Sequence, residues 1–177
     1  MRFELLKEAE KYFVRMIGID EWGMFEHAKE VEKWVGFLCR ENKELDKLAL
    51  LCAVWLHDIS VYQAKDYQDH AKLSAIMAKK FLEQHDIGEV LLNRIIKIIL
   101  FHRNSMSNSA EIIAFAAADS ASHISSKHYF DIAAHNDLSV LRKKFYRDLR
   151  DIQNFPQISS VLKHKIEAWN TIILSYR

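Results

Sequence analysis

Residues 48–59 read LALLCAVWLHDI, an apolar run that ends in an imidazole and a carboxylate, His57 and Asp58. Helical spacing aligns both residues with Val54, so both side chains are expected to face the core. Burying them there costs free energy unless something compensates both groups. A bound metal ion is the simplest compensation, because neutral imidazole and ionised carboxylate are both common metal ligands.

The overall composition predicts a single domain over residues 1–177 with a substantial core. Half of the 177 residues are hydrophobic, which provides enough apolar surface for such a core. The 25 Lys and Arg residues nearly cancel the 24 Asp and Glu residues, so a broad nucleic-acid-binding surface is not expected. Four glycines and one proline are few for this length, and turn-rich β folds need more of both.

The cysteines and the first residues of the chain indicate the cellular compartment in which the protein is expected. Cys39 and Cys52 lie in apolar helical patterns without metal-ligand spacing, so buried, reduced thiols are expected. The charged start of the chain is unlike an apolar secretory signal. The apolar run Leu48–Leu56 is too short to span a bilayer. A soluble, cytoplasmic protein without a membrane partner is therefore expected.

Apolar residues recur at three- and four-residue spacing along almost the whole chain, which is typical of amphipathic helices. The run at 112–118 is apolar on all sides and predicts a central, buried helix with Ser109 as its N-cap. The predicted helices cover residues 2–17, 24–41, 44–59, 67–85, 88–102, 110–126, 136–152 and 157–175. An all-α, single-domain bundle of about seven to eight helices is the expected fold.

Six residues able to bind metal point inward from five of these helices. They are His27, His57, Asp58, His70, His102 and Asp119. A single inward histidine is more often a core residue with a satisfied hydrogen bond than a ligand. Asp119 is harder to explain in this way, because a carboxylate is rarely buried without a partner and residues 112–126 contain no Lys or Arg. One shared metal site satisfies all six groups together.

The other histidines are less closely tied to this site. His123 comes one turn after Asp119 and is expected to support the ligands or to line a pocket. His128, His135 and His164 fall in polar surroundings and are expected on the surface.

Basic residues cluster in the predicted helix 136–152. They are Arg142, Lys143, Lys144, Arg147 and Arg150. Such a cluster is usually a solvated helix face, and phosphate binding is the alternative.

Four of the candidate ligands stand in the order His27, His57-Asp58, Asp119. This order resembles the ligand set of the HD-domain superfamily of metal-dependent phosphohydrolases, whose fold is a helical bundle. The apolar helix that ends in His-Asp and the small-residue helix around Asp119 also look like that family. The resemblance covers a metal-binding core at about residues 24–125, which the helices of 136–175 follow as a variable tail.

With His70 and His102 added, the set looks like the six-ligand members of the family, which bind two metal ions. The resemblance implies one ion held by His27, His57 and Asp119, a second ion held by His70 and His102, and Asp58 as the bridge between them. Mixed imidazole and carboxylate ligands suit Fe, Mn, Zn, Co or Ni. His70 comes only twelve residues after Asp58, so a site with one metal is the alternative.

The resemblance also implies a reaction. Metal-activated water would hydrolyse a phosphoester or phosphoanhydride in a nucleotide-like small molecule, with Asp58 at the catalytic centre. Many members follow His-Asp with Ile-Gly-Lys, whereas Ser60 and Val61 stand here in place of the Gly and Lys. The candidate electrostatic helpers are Lys65, Lys72 and Arg103, with solvated surface charge as the alternative. His123 is the candidate proton donor to the leaving group.

Two other functions are compatible with the same ligands. A carboxylate-bridged di-iron pair could activate dioxygen, as in a few HD-domain oxygenases. A helical binding module could keep the metal as a structural or sensory element without catalysis. The oligomeric state is not readable, because Trp34, Trp55 and Trp169 suit a core and an interface equally.

Overall fold

The computed structural model describes residues 2–63, 70–135 and 138–175, and the regular structure in these ranges is helical. In chain order the helices are α1 (Arg2–Ile17), α2 (Met24–Glu41), α3 (Lys47–Leu56), α4 (His70–Leu82), α5 (Glu89–Phe101), α6 (Ala110–Ser125), α7 (His128–His135), α8 (Leu138–Ile152) and α9 (Pro156–Ser175). No strand occurs in the described ranges, which confirms the all-α prediction.

Helix α6 lies at the centre of the bundle and packs against α2, α5, α7, α8 and α9. It is buried on nearly all sides from Ile112 to Ile124. Its buried alanines, at 114, 116–118 and 121, favour the helix and leave room for close neighbours. Ser109 caps its N-terminus, because the hydroxyl accepts a hydrogen bond from the backbone N–H of Ile112. Both sequence predictions for this helix are confirmed.

Helix α3 carries the His-Asp pair toward α6. The Asp46 side chain caps it by accepting a hydrogen bond from the backbone N–H of Ala49 at 3.1 Å. The helix is therefore shorter than the predicted 44–59: it begins at Lys47 and ends at Leu56, and turns follow over residues 57–63. The His-Asp pair consequently lies just beyond the helix, where the chain changes direction.

The periodicity of the sequence does not predict α7, which raises the number of helices in the described ranges from the eight predicted to nine. Its eight residues are too few to display a helical repeat. Tyr129 anchors it instead: the ring is fully buried, and the hydroxyl donates to Oδ2 of Asp148 at 2.7 Å. Tertiary packing against α8 therefore stabilises this short helix.

A connected apolar core runs from Leu5 in α1 to Ile173 in α9. Trp34, Trp55 and Trp169 have exposed fractions of 3, 2 and 5 %, so all three belong to this core.

Cys39 and Cys52 are buried and free, as predicted. Burial raises the pKa of the Cys52 thiol to about 12, which makes it unreactive near neutral pH. Of the described helices, none combines the length and the apolar character needed to cross a membrane.

Candidate metal centre

The six candidate ligands meet inside the bundle, and all of them are buried. His27 lies in the first turn of α2, and Asp119 lies within α6. The other four stand at helix ends: His57 and Asp58 directly after α3, His70 at the start of α4 and His102 directly after α5. The tertiary structure thus brings together side chains that are up to 92 positions apart in the sequence, from His27 to Asp119.

The first group of ligand atoms surrounds Nε2 of His27 and Nε2 of His57, which lie 3.4 Å apart. Oδ1 of Asp119 is 3.2 Å from Nε2 of His27 and 3.9 Å from Nε2 of His57. Oδ2 of Asp58 is 3.4 Å from Nε2 of His57 and 3.9 Å from Nε2 of His27. Side chains from α2, α6 and the turn after α3 therefore direct four ligand atoms into one small volume.

Asp58 also faces a second group, formed with His70 and His102. Its other oxygen, Oδ1, lies 3.1 Å from Nε2 of His70. One ligand atom from each of Asp58, His70 and His102 lies within 4.8 Å of the other two. The two oxygens of Asp58 thus face different imidazole groups, which is the arrangement that a bridging carboxylate requires.

Two of the histidines are held in the tautomer that suits a metal ligand. Nδ1 of His57 lies 2.9 Å from the carbonyl oxygen of Val54, and Nδ1 of His102 lies 2.7 Å from that of Ile99. A carbonyl oxygen only accepts hydrogen bonds, so each Nδ1 carries a proton, and in the neutral ring Nε2 is then the nitrogen with the lone pair. Hydrogen bonds of this kind orient metal-binding histidines.

Ser122 sets the same tautomer in His27. Its hydroxyl donates to the carbonyl oxygen of Asp119 at 2.6 Å, and it accepts from Nδ1 of His27 at 3.1 Å. The lone pairs of His27 and His57 then face each other across 3.4 Å, which is unfavourable unless a positive charge lies between them. The carboxylates hold that charge as a metal ion or as a proton on His27, whose pKa falls on burial but is raised overall by Asp119. The donor set fits a divalent transition metal.

The protonation states also suit metal binding. Burial raises the pKa of Asp58 and of Asp119, but the nearby histidines, His57 for Asp58 and His123 for Asp119, bring both values well below the usual range. Burial and the proximity of His57 lower the pKa of His102 to about 3. Ionised carboxylates and a neutral imidazole are the forms that coordinate a cation.

His123 extends the first group along α6. Its Nε2 lies 3.5 Å from Oδ1 of Asp119, and its ring stacks on His27 with 5.1 Å between centroids. Its Nδ1 donates to Oδ2 of Asp148 at 3.1 Å. Burial and the charge of Lys144 lower the pKa of His123 to about 4. His123 thus lies beside the ligands, and its distances also allow it to share a metal ion with His27 and Asp119.

The prediction of a solvated basic helix face is wrong at Lys144. Its side chain is only 11 % exposed, and Nζ lies 3.0 Å from Nδ1 and 3.3 Å from Nε2 of His123. The signal was present in the sequence, because Lys144 stands three residues after Leu141 and four before Asp148, both of which are buried on α8. Lys143 next to it is exposed, as predicted.

His128 is likewise not a surface residue, which corrects its prediction. It is half-buried, and its ring stacks on that of His123 with 4.6 Å between centroids. Burial lowers the pKa of His128 to about 2. The side chain of His164 is 95 % exposed, as predicted, and the side chain of His135 lies outside the described part of the structure.

Asp148 is a supporting residue that the sequence analysis missed. Its side chain is fully buried and accepts hydrogen bonds from Tyr129 at 2.7 Å, from His123 at 3.1 Å and from Arg147 at 2.8 Å. Its position on the same stripe as Leu141 was the available signal, because an acidic residue there has to be buried. Asp148 fixes which ring nitrogen of His123 faces the metal ligands.

The three basic residues predicted to act as electrostatic helpers differ in how far each is exposed and in how close each lies to the ligands. Arg103 is half-buried, directly follows His102, and its charge helps to lower the pKa of Lys144. Lys72 is exposed on α4. Lys65 lies outside the described residues.

Comparison with known proteins agrees with this geometry. The family model described as HD domain matches residues 24–125, more than half of the 177-residue chain. Proteins of this family are generally metal-dependent phosphohydrolases, so a divalent metal ion is implied, and the buried His and Asp groups fit one. No curated protein and no solved structure matches the chain. From the extent of the family match, together with the buried His and Asp cluster inside it, we conclude that the chain belongs to the HD-domain family.

Proposed function

We propose that this protein hydrolyses a phosphoester or phosphoanhydride bond in a small nucleotide-like molecule. The observation that carries the proposal is the position of Asp58, whose oxygens face two separate imidazole groups, at 3.4 Å from His57 and 3.1 Å from His70. A carboxylate in this position is suited to a pair of metal ions, and such pairs commonly serve phosphoryl transfer.

The proposed ligands form two sets, which correspond to the two groups of ligand atoms described above. His27, His57 and Asp119 would hold one ion and His70 and His102 the other, and Asp58 would be shared between them. Bound divalent ions at such a site lower the pKa of water and neutralise charge on phosphoryl oxygens. The protein contributes fixed ring orientations, because Ser122 and two backbone carbonyls set the tautomers of three histidines.

His123 is the proposed proton donor to the leaving group. Asp148 accepts the hydrogen bond of Nδ1, so Nε2 is the atom that would exchange a proton. Because the pKa of His123 is lowered to about 4, Nε2 carries this proton in few molecules near neutral pH, and the donor role should strengthen as the pH falls. Arg103 is proposed to balance charge on the departing phosphate, as its half-buried position beside His102 suggests. Lys65 keeps the same role as a prediction from the sequence.

Phosphate release is the direct test. Protein stripped of metal is reloaded separately with Fe²⁺, Mn²⁺, Zn²⁺, Co²⁺ or Ni²⁺ and offered nucleoside phosphates, cyclic dinucleotides and dinucleoside polyphosphates. We expect turnover of at least one of these classes. Asp58→Ala should reduce it by roughly 100-fold or more, whereas Asp86→Ala, which alters an exposed carboxylate, should leave it unchanged.

The alternatives give different results in the same experiment. Consumption of dioxygen by the iron-loaded protein, without phosphate release from any substrate, would replace the proposal with di-iron oxygenase chemistry. Stable metal binding with neither activity would support a non-catalytic binding module.

A further inference from the structure

Lys144 is a largely buried cation at the edge of the metal centre, on α8, which lies outside the matched family region. Its Nζ is 3.3 Å from Nε2 of His123, which is 3.5 Å from Oδ1 of Asp119, so the ammonium lies within about 7 Å of a candidate metal ligand. The charge of Lys144 also acts on the pKa of His27, across the first group. The lysine therefore faces the centre rather than bulk solvent.

Asp148 forms an ion pair with this lysine but accepts no hydrogen bond from it. Its Oδ2 lies 3.7 Å from Nζ of Lys144, which is beyond hydrogen-bond distance. The same carboxylate already accepts hydrogen bonds from Tyr129 at 2.7 Å, from His123 at 3.1 Å and from Arg147 at 2.8 Å. An ammonium has three donors, so Lys144 retains capacity for a further acceptor.

The charges around Lys144 favour an anion as that acceptor. Besides Asp148 and Asp119, which are acidic, the guanidinium groups of Arg147 and Arg103 act on the ammonium. Arg147 is paired with Asp148 by hydrogen bonds of 2.8 and 3.1 Å, and Asp119 faces the candidate ligand atoms. Lys144 therefore adds a positive charge on this side of the centre.

We propose that Lys144 is a substrate-binding residue whose ammonium donates a hydrogen bond to an oxygen of the phosphoryl group undergoing reaction. This inference rests on the proposed function and names the chemistry recognised beside the metal ligands, a phosphoryl anion. A phosphoryl group carries several oxygens, so one group can contact both the metal centre and Lys144. Charge-assisted hydrogen bonds from lysine to phosphate are among the stronger polar contacts.

Binding of inorganic phosphate tests this without turnover. Calorimetric titration of the Mn²⁺-loaded protein compares the wild type with Lys144→Met, with Lys144→Arg, which keeps the charge, and with Lys143→Met, which removes an exposed neighbouring charge. We expect Lys144→Met to bind phosphate about 10- to 100-fold more weakly, Lys144→Arg to recover part of the affinity and Lys143→Met to match the wild type. The affinities of the variants for a nucleoside 5′-monophosphate should follow the same order. Their affinities for the corresponding unphosphorylated nucleoside should show no such order.

Metal content and thermal unfolding of each variant are measured first. Equal phosphate affinity in the wild type and Lys144→Met would overturn the inference, whatever the protein hydrolyses. Loss of metal from Lys144→Met would also overturn it, because the lysine would then act through the ligands. If Lys144→Met does not fold, Lys144→Gln takes its place in the same comparison. A wild type that hydrolyses nothing but binds phosphate through Lys144 would refute the proposed function and would reduce this inference to a phosphate-binding role of Lys144 beside the metal centre.

Discussion

The two groups of candidate ligands differ in how the fold holds them. The first group, defined by His27, His57 and Asp119, draws on α2, on the turn after α3 and on α6, and α6 packs against five other helices. The second group, defined by His70 and His102, stands at the start of α4 and just after α5. A side chain within a central helix is restrained from several directions, whereas one at a helix end depends on fewer neighbours. We therefore expect the first group to bind its ion more tightly.

The hydrogen bonds behind the ligands show the same contrast. Ser122 joins two ligands of the first group, because its hydroxyl contacts both His27 and the backbone of Asp119. In the second group, His102 is held by the carbonyl of Ile99, three residues before it. The Ser122 contacts join ligands of two helices, whereas the His102 contact is local to α5 and the residue that follows it. The backbone of His70 is held by Ser60, whose hydroxyl donates to its carbonyl oxygen at 2.8 Å. Whether the centre holds one ion or two is therefore decided by the second group.

Asp58→Ala should have the largest effect, because it removes the residue shared by both groups. We expect metal content to fall from about two ions to fewer than one per chain, with turnover reduced by roughly 100-fold or more. Elemental analysis after dialysis measures this, with the exposed Asp86→Ala as the control. Unchanged metal content in Asp58→Ala would show that the inward histidines are core residues rather than ligands.

His102→Ala and His27→Ala should separate the two groups. Titration of the wild type with Mn²⁺ should show two binding phases. His102→Ala should keep only the tighter phase and His27→Ala only the weaker one. His164→Ala, which alters a side chain that is 95 % exposed, is the control. Full metal content in His102→Ala would mean that the second group binds no ion and that the centre holds one.

Ser122→Ala tests whether the cross-helix contact makes the first group tighter. Losing the hydrogen bond that orients His27 should weaken the tighter phase by about 10- to 100-fold and leave the weaker phase unchanged. The same calorimetric titration measures both phases, with the exposed Ser160→Ala as the control. Equal weakening of the two phases would show that Ser122 does not act on the first group alone.

Tyr129→Phe should have the smallest effect on the two groups. It removes the hydroxyl that donates to Asp148 at 2.7 Å, so the free energy of unfolding should fall by about 1.5–3 kcal/mol. Urea unfolding measures this, with Tyr146→Phe as the control because that ring is 46 % exposed. Both metal-binding phases should change less than about threefold. A larger change in the first phase would show that Asp148 acts on the ligands through His123.

Local patterns in the sequence predicted much of the fold and the set of candidate ligands. Asp119 illustrates this, because it lies on a helix that is apolar all round and its own segment offers no basic partner. The same reasoning failed for α7, since eight residues contain too little periodicity and the helix depends on the buried Tyr129. It also failed for His128, whose polar sequence neighbours do not reveal that its ring stacks on His123.

By itself, the sequence determined the helical class and the inward direction of the ligands, because helical periodicity orients each side chain relative to its own helix. The tertiary structure decided which oxygen of Asp58 faces which imidazole, and it decided that α8 brings Lys144 and Asp148 to His123. Apart from the contact between the neighbours His57 and Asp58, these contacts join residues that are 12 or more positions apart in the chain. They follow from how helices pack on one another, which no local pattern encodes.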